Sequence, residues 1–235
     1  MPRHERRPTS ITLPPDLVQQ FAPLAAGERS AVLEILAEGR TAAKACEVAE
    51  NAHGWCDEEI GPSIPDDIAC RAGCCWCCYL YVSITPPEAF ALARWIEETS
   101  TPEQRAAWVE LLRQRATQAR GKSESAYAVA KIPCAFLQEG LCSAYAHRPL
   151  VCRGYFSHSA ARCEVGYRTP LKFGATITVP LFPRTMTHLI KAGLQQGCEA
   201  AGVQSASYEL HQAVLIALTT PNAAERWAQG EAIFP

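Results

Sequence analysis

Cysteine dominates one short stretch of this 235-residue chain, Cys70–Cys78, which reads CRAGCCWCC. Cys70, Cys74, Cys77 and Cys78 stand in a C-x3-C-x2-C-C spacing, with Cys75 as an additional thiol inside it. A second group, Cys134, Cys142, Cys152 and Cys163, begins 56 residues after Cys78. Thiolates repel one another and lose hydration when buried together; a multivalent cation or a cationic cluster core removes that cost. These eight cysteines are therefore the candidate metal ligands. Tetrahedral zinc sites and iron–sulfur clusters both use closely spaced cysteines. The adjacent pair Cys77–Cys78 is awkward in a single mononuclear tetrahedron and suits a larger cluster or two sites sharing a hinge. The reading favours an iron–sulfur cluster of the 4Fe-4S type, with zinc as the alternative.

Other side chains near the cysteines carry weaker signals. Arg148 and Arg153 flank Cys152. A cation beside thiolates lowers their pKa and offsets cluster charge, although a surface ion pair or a helix-end contact explains an arginine equally well. The hydroxyl of Tyr145 is placed to bond a cluster sulfur or a backbone group, or the ring simply packs. His147 and His158 are possible substitutes for a thiol, with solvent exposure the plainer expectation. Cys46, Cys56 and Cys198 stand alone on helical patterns, where a free thiol behaves as a small hydrophobe. The tryptophans read as core anchors, except that Trp76 sits between candidate ligands and is placed to shield a centre from water. Cys70, Cys74 and Cys77 also fit the C-x3-C-x2-C of radical S-adenosylmethionine enzymes, but their barrel needs alternating strands and helices, and the flanks here are helical. No glycine-rich nucleotide loop and no nucleophile–base arrangement stands out.

The elements that must position these residues follow from pattern and composition. Apolar residues make up 48% and charged residues 20%, as in ordinary globular domains. The formal charge of −2 gives no field suited to nucleic acid. The basic start, MPRHERRPTS, is not followed by the roughly 7–15 apolar residues of a secretory signal, nor does any run approach the roughly 18 of a membrane span. A cytoplasmic protein with reduced thiols and no membrane partner is the expectation. Residues 1–14 are expected to be a disordered tail and 15–235 a single cysteine-cluster domain. Residues 27–60 carry a helical period, with Val32, Leu36, Ala43, Cys46, Ala49 and His53 near one face; Gly39 leaves one long helix or two. Thr85 with Pro86 and Glu88, and Thr101 with Pro102 and Gln104, are capping boxes that start two helices, expected to form an antiparallel hairpin. Residues 122–183 show little helical period, and ATITV (Ala175–Val179) is their only strand-like run. Helices are expected again over about 184–201, over 207–218 and from Thr220 around Trp227. The fold class is mainly α, a helical frame around an irregular cysteine-rich centre organised by metal.

Taken together, CRAGCCWCC, VSITPPEA and CAFLQEGLCSAYAHRPLVCRGY resemble the YkgJ-type cysteine-cluster family, a zinc- or iron-chelating CxxCxxCC domain. The matching positions are Cys70, Cys74, Cys77, Cys78, Cys134, Cys142, Tyr145, Arg148, Pro149, Cys152 and Arg153. Cys163 and the tail YELHQAVLIALTTPNAAERWAQGEAIF resemble a longer subgroup, so the likeness spans about 68–234. The resemblance implies metal or cluster binding, in electron transfer, metal handling or modification of a protein partner. Flagellin lysine methylases carry a similar cysteine region, which keeps a cluster-dependent group-transfer enzyme in view beside the alternative of a structural zinc module that binds another protein.

Overall fold

The computed structural model describes residues 15–170, 177 and 179–235. The tail expected at 1–14 and most of the ATITV run lie outside the described residues. The fold is mainly α: α1 (Pro15–Glu38), α2 (Ala42–Ile60), α3 (Pro86–Thr99), α4 (Pro102–Ala119), α5 (Glu124–Ala130), α6 (Leu150–Arg153), α7 (Ala160–Arg168), α8 (Leu181–Ala200), α9 (Leu210–Thr219) and α10 (Ala223–Ala228). Among the described residues, two antiparallel two-residue ladders complete it. β1 (Ser83–Ile84) pairs with β4 (Tyr208–Glu209), and β2 (Leu137–Gln138) pairs with β3 (Leu141–Cys142).

The helical run at 27–60 is two helices. The chain breaks at Gly39–Arg40, and Thr41 restarts it by accepting a hydrogen bond from the Lys44 N–H. The break resets the helical phase, so Ala43 is exposed while Val32, Leu36, Cys46, Ala49 and His53 are buried as expected. α2 then lies at the centre, with α1, α3, α8 and α10 against it. α3 and α4 begin at their capping boxes, but they touch each other little. α9 packs along both instead, with Leu210, Val214 and Leu218 buried. The expected hairpin is therefore a three-helix layer, because α9 offers an apolar face that fills the seam.

α1 and α8 make the most extensive helix pairing. Gly193 faces Ala25 and Glu28, and Gly197 faces Arg29 and Val32. The contacts advance together along both chains, so the two helices run in the same direction. A Cβ at Gly193 would stand 2.9 Å from the Ala25 Cα, and one at Gly197 2.6 Å from the Val32 Cβ; only glycine permits this approach. Glu28 is fully buried in the seam. Its Oε2 accepts from the Asn51 amide at 3.2 Å, whereas its Oε1 has no partner. Burial pushes its carboxyl up to about 7, against the lesser pull of that amide.

The C-terminus closes the other end. Trp227 is fully buried, and its indole N–H donates to the Gln204 carbonyl at 3.0 Å. The Gln204 side chain bonds the Phe234 N–H and C=O, and the Phe234 ring stacks on Tyr208 at 4.9 Å.

Residues 122–170 are less irregular than expected, for they contain α5, α6 and α7. α5 and α7 each begin at a serine whose hydroxyl caps the helix, Ser123 and Ser159. Both helices are shorter than a period can reveal.

Candidate metal centre

The first cysteine segment is held by its backbone. The Ala69 N–H donates to the Ser157 carbonyl at 2.9 Å, and the Cys70 thiol reaches the same carbonyl at 3.9 Å. Gly73, at φ 86°, turns the chain so that the Cys74 N–H meets the Arg71 carbonyl. A 3-10 turn over Trp76–Tyr79 then presents Cys77 and Cys78 on consecutive residues. The second segment crosses it where the Cys134 N–H donates to the Cys78 carbonyl at 2.7 Å. Beyond Cys134 the chain makes a hairpin that sets Cys142 opposite Leu137. Its two turn residues, Glu139 and Gly140, both have positive φ, the twist a two-residue hairpin requires. α6 presents Cys152, and α7 presents Cys163 while packing on the Trp76–Tyr79 turn.

Chain order and spatial order of the thiols differ. Cys163 comes to Cys70 and Cys74 rather than to the three cysteines that precede it. Cys70 and Cys163 both meet Ser157. Burial raises both of these thiols, and the charges of Cys74 and Cys77 raise them further. Cys134, Cys142 and Cys152 form the other trio. Burial raises each of them, Cys152 up to about 12, with mutual repulsion among the three adding to Cys134 and Cys152. Cys77 stands between the trios: its hydrogen bond with the Cys78 thiol, then burial, push it well above the ordinary range. Its charge in turn acts on Cys70 and Cys163 on one side and on Cys142 and Cys152 on the other. Cys75 shows no such effect on the second trio.

A thiol raised in this way holds its proton until a cation replaces it. All twelve thiols are free. Among the described residues, no group of three or more His, Cys, Asp or Glu side chains is already arranged to hold a metal ion. The thiols are thus gathered neighbours rather than a finished coordination sphere. As a donor set they fit a soft cation or an iron–sulfur core and little else.

The other candidates separate clearly. The Arg148 guanidinium lies over the Tyr145 ring, 3.7 Å from its centroid, and its charge lowers Cys77, Cys142 and Cys152. Tyr145 itself is 61% exposed. Arg153 is buried and turned away from the sulfurs: it bonds the Arg148 carbonyl at 2.7 Å, the Ala146 carbonyl, and Asp57 of α2 at 2.5 Å. It fixes the turn that carries Arg148. His147 lies against Trp95, and His158 pairs with Asp67 at 3.0 Å. Cys46, Cys56 and Cys198 are core residues, and burial takes Cys56 and Cys198 up to about 12. Trp76 and Tyr79 pack with Tyr167 of α7 at 5.3 and 4.7 Å, an aromatic cover beside the Cys77–Cys78 pair.

The long-range roles of Glu88, His53, Lys191 and His211 escape a local reading of the sequence. Glu88 is fully buried; besides capping α3 through the Thr85 N–H and hydroxyl, it accepts the Leu150 N–H at 2.8 Å, two residues before Cys152. His53 Nε2 stands 3.7 Å from it, an ion-pair distance rather than a hydrogen bond. Burial alone would raise the Glu88 carboxyl, but the His53 imidazole, the Lys191 ammonium and the Thr85 amide outweigh it and hold the acid down at about 2. Lys191 in turn donates to the Ser83 carbonyl at 2.8 Å. His211 is buried, and its Nε2 accepts the Ala135 N–H at 3.1 Å, next to Cys134. Its Nδ1 must therefore carry the proton, and it faces the Glu209 carboxylate at 2.7 Å. The capping box signals the local bonds of Glu88, whereas no sequence pattern signals its bond to Leu150.

Residues 69–169 match the family CxxCxxCC, described as "putative zinc- or iron-chelating domain". The match covers the segment from just before Cys70 to the end of α7 and stops before α8. No curated protein and no solved structure matches the chain. Metal binding is the activity this match supports. Among the described residues, no helix is long and apolar enough to cross a membrane.

Proposed function

We propose that this protein holds iron as an iron–sulfur cluster on the thiols of segments 70–78 and 134–163, for electron transfer, metal handling or modification of a protein partner. The observation that supports the reading is the crossing of the two cysteine segments at the Cys134–Cys78 backbone hydrogen bond, which brings together segments carrying eight candidate thiols, more than one tetrahedral ion uses. Arg148 balances the negative charge of such a centre, and the Trp76, Tyr79 and Tyr167 rings limit the approach of water and oxygen. When bound, a cluster supplies a one-electron couple; the chain's own residues hold it, neutralise it and dry it. We place the protein in the cytoplasm, where reduced thiols are available for loading.

The zinc reading keeps one observation in its favour: the thiols divide into sets whose size suits zinc sites built from four cysteines. Purification without oxygen separates the two. A brown protein with broad visible absorbance, iron and acid-labile sulfide is expected. A colourless protein with stoichiometric zinc overturns the iron–sulfur assignment and leaves a structural zinc module.

A further inference from the structure

We infer that the cleft between α1 and α2 binds a small primary alkylammonium ion, its alkyl part against Trp55 and its charge among Glu58, Asn51 and the buried Glu28. The cleft lies outside the matched segment 69–169 and uses no cysteine, so it stands apart from the metal reading.

The cleft has a volume of about 450 Å³ and is lined by Gly27 and Ala31 of α1 and by Asn51, Gly54, Trp55 and Glu58 of α2. Positions 51, 54, 55 and 58 recur at the helical spacing, so they share one face of α2. Small residues keep the space open. The benzo edge of the Trp55 indole abuts the Gly27 backbone, where a Cβ would collide with it, and the ring walls the cleft. A Cβ on Gly54 would meet nothing within 4 Å. The volume is that of a site for a small ligand.

The polar groups here are acceptors in want of donors. Among the described residues, neither Glu58 nor Glu28 has a Lys, Arg or His partner. Asn51, in the wall of the cleft, donates an amide N–H to Glu28 Oε2 at 3.2 Å and keeps its carbonyl oxygen as a further acceptor. Behind that amide Glu28 is fully buried, and its Oε1 has no partner. A buried carboxylate oxygen without a donor is rare in folded chains and marks a place for one. A primary ammonium brings three N–H donors and a full charge, which suit two carboxylates and an amide carbonyl, and tryptophan is the ring that attracts a cation most. An anion would face both carboxylates, and a quaternary ammonium has no N–H to give. From α2 Glu28 meets the neutral Asn51; from α8 it meets the Gly193 backbone and the field of the Cys198 thiol, which burial holds up to about 12 and so neutral. Burial holds the Glu28 carboxyl up to about 7, so a cation in the cleft favours its ionised form and expels its proton.

The test titrates the full chain with propylammonium chloride, against sodium chloride at equal ionic strength. Binding is followed at the Trp55 indole N–H by NMR, its signal assigned from Trp55→Phe. Saturable binding is expected, about 30-fold tighter at pH 8 than at pH 5.5, because the ionised fraction of Glu28 rises from about 3% to about 90%. Glu28→Gln should remove this pH dependence. Glu58→Gln should weaken binding about fivefold at both pH values. Gly54→Leu, whose side chain enters open space, should block binding while helical circular dichroism stays unchanged. Nα-acetyl-lysine methylamide, titrated alongside, tells a lysine side chain from a free amine: tighter binding than propylammonium assigns the site to the first, weaker to the second, and either supports the site. No saturable binding to the folded wild type, undiminished binding by Gly54→Leu, or equally tight binding of tetramethylammonium overturns the proposal. Wild-type binding that ignores pH overturns the part given to Glu28.

Discussion

Glu28 gives the fold a pH dependence that a single substitution should remove. Its carboxyl is fully buried between α1, α2 and α8, one oxygen meets only the Asn51 amide, and the other meets nothing. Burial takes its pKa from the ordinary 4.5 to about 7. Because the folded value is raised, the contribution to stability is whole below pH 4.5, where both states are protonated. It is lost as pH rises through 7, since the unfolded chain releases the proton first. At about 1.4 kcal/mol for each pH unit across that window, the ionised acid weighs about 3 kcal/mol against folding above pH 7. Glu28→Gln keeps the Asn51 contact and cannot ionise.

The assay is guanidinium unfolding of wild type and Glu28→Gln at pH 5, 6, 7 and 8, both fully metal-loaded. Thiol and histidine titrations act on both proteins and cancel in the difference. The variant should gain on the wild type by about 2.5 kcal/mol between pH 5 and 8, with most of the gain below pH 7. Hydrogen exchange should place the wild-type loosening in α1. A difference that stays flat with pH refutes the argument, because it means that Glu28 is hydrated or paired in the folded state.

Other substitutions test other parts of the frame. Glu88→Gln removes the negative charge that faces Lys191 and His53; a loss of about 3–5 kcal/mol in unfolding free energy is expected, with faster metal release because Leu150 and Cys152 lose their anchor. Gly193→Ala forces a methyl group into the Ala25 backbone and should cost about 1–3 kcal/mol or more, seen as a lower melting temperature and lost exchange protection in α1. Cys75→Ser should leave the metal content per chain unchanged; loss of a centre would make Cys75 a ligand.

Much of the frame is legible in the sequence because its signals are local. Thr85 and Thr101 announce their helices with caps and prolines three residues deep, and Leu210, Val214 and Leu218 repeat at the helical period and are buried as read. Ala43 fails because a break at Gly39 resets the phase, which a continuous pattern hides. α5 and α7, at seven and nine residues, are too short to show a period, although Ser123 and Ser159 were available as cap signals. The cysteines are legible as donors but not as sets. Spacing groups Cys163 with Cys152, while the fold carries it to Cys70 through a backbone bond at Ser157. Nothing local marks the His211–Ala135 or Glu88–Leu150 bonds, which join residues 76 and 62 positions apart.

Those long-range bonds bear on what metal does for the fold. From the sequence, the cysteine segments are expected to owe their order to metal, as in domains that unfold when it is removed. In the structure each segment is instead anchored to protein: the Ala69 N–H to Ser157, the Ala135 N–H to His211, and the Leu150 N–H to Glu88. Two of these acceptors are side chains buried against the helical core, where an unmet partner costs about 1–3 kcal/mol. These bonds tie the loops to the helical frame without using any thiol. Chelated protein should keep its helical circular dichroism and a cooperative melt at a lower temperature. Its exchange protection should fall in 69–82 and 134–163 and persist in α2, α3 and α9. If removing the metal instead abolishes the helical signal and the cooperative transition together, the anchors are too weak to hold the segments and metal is the organiser after all.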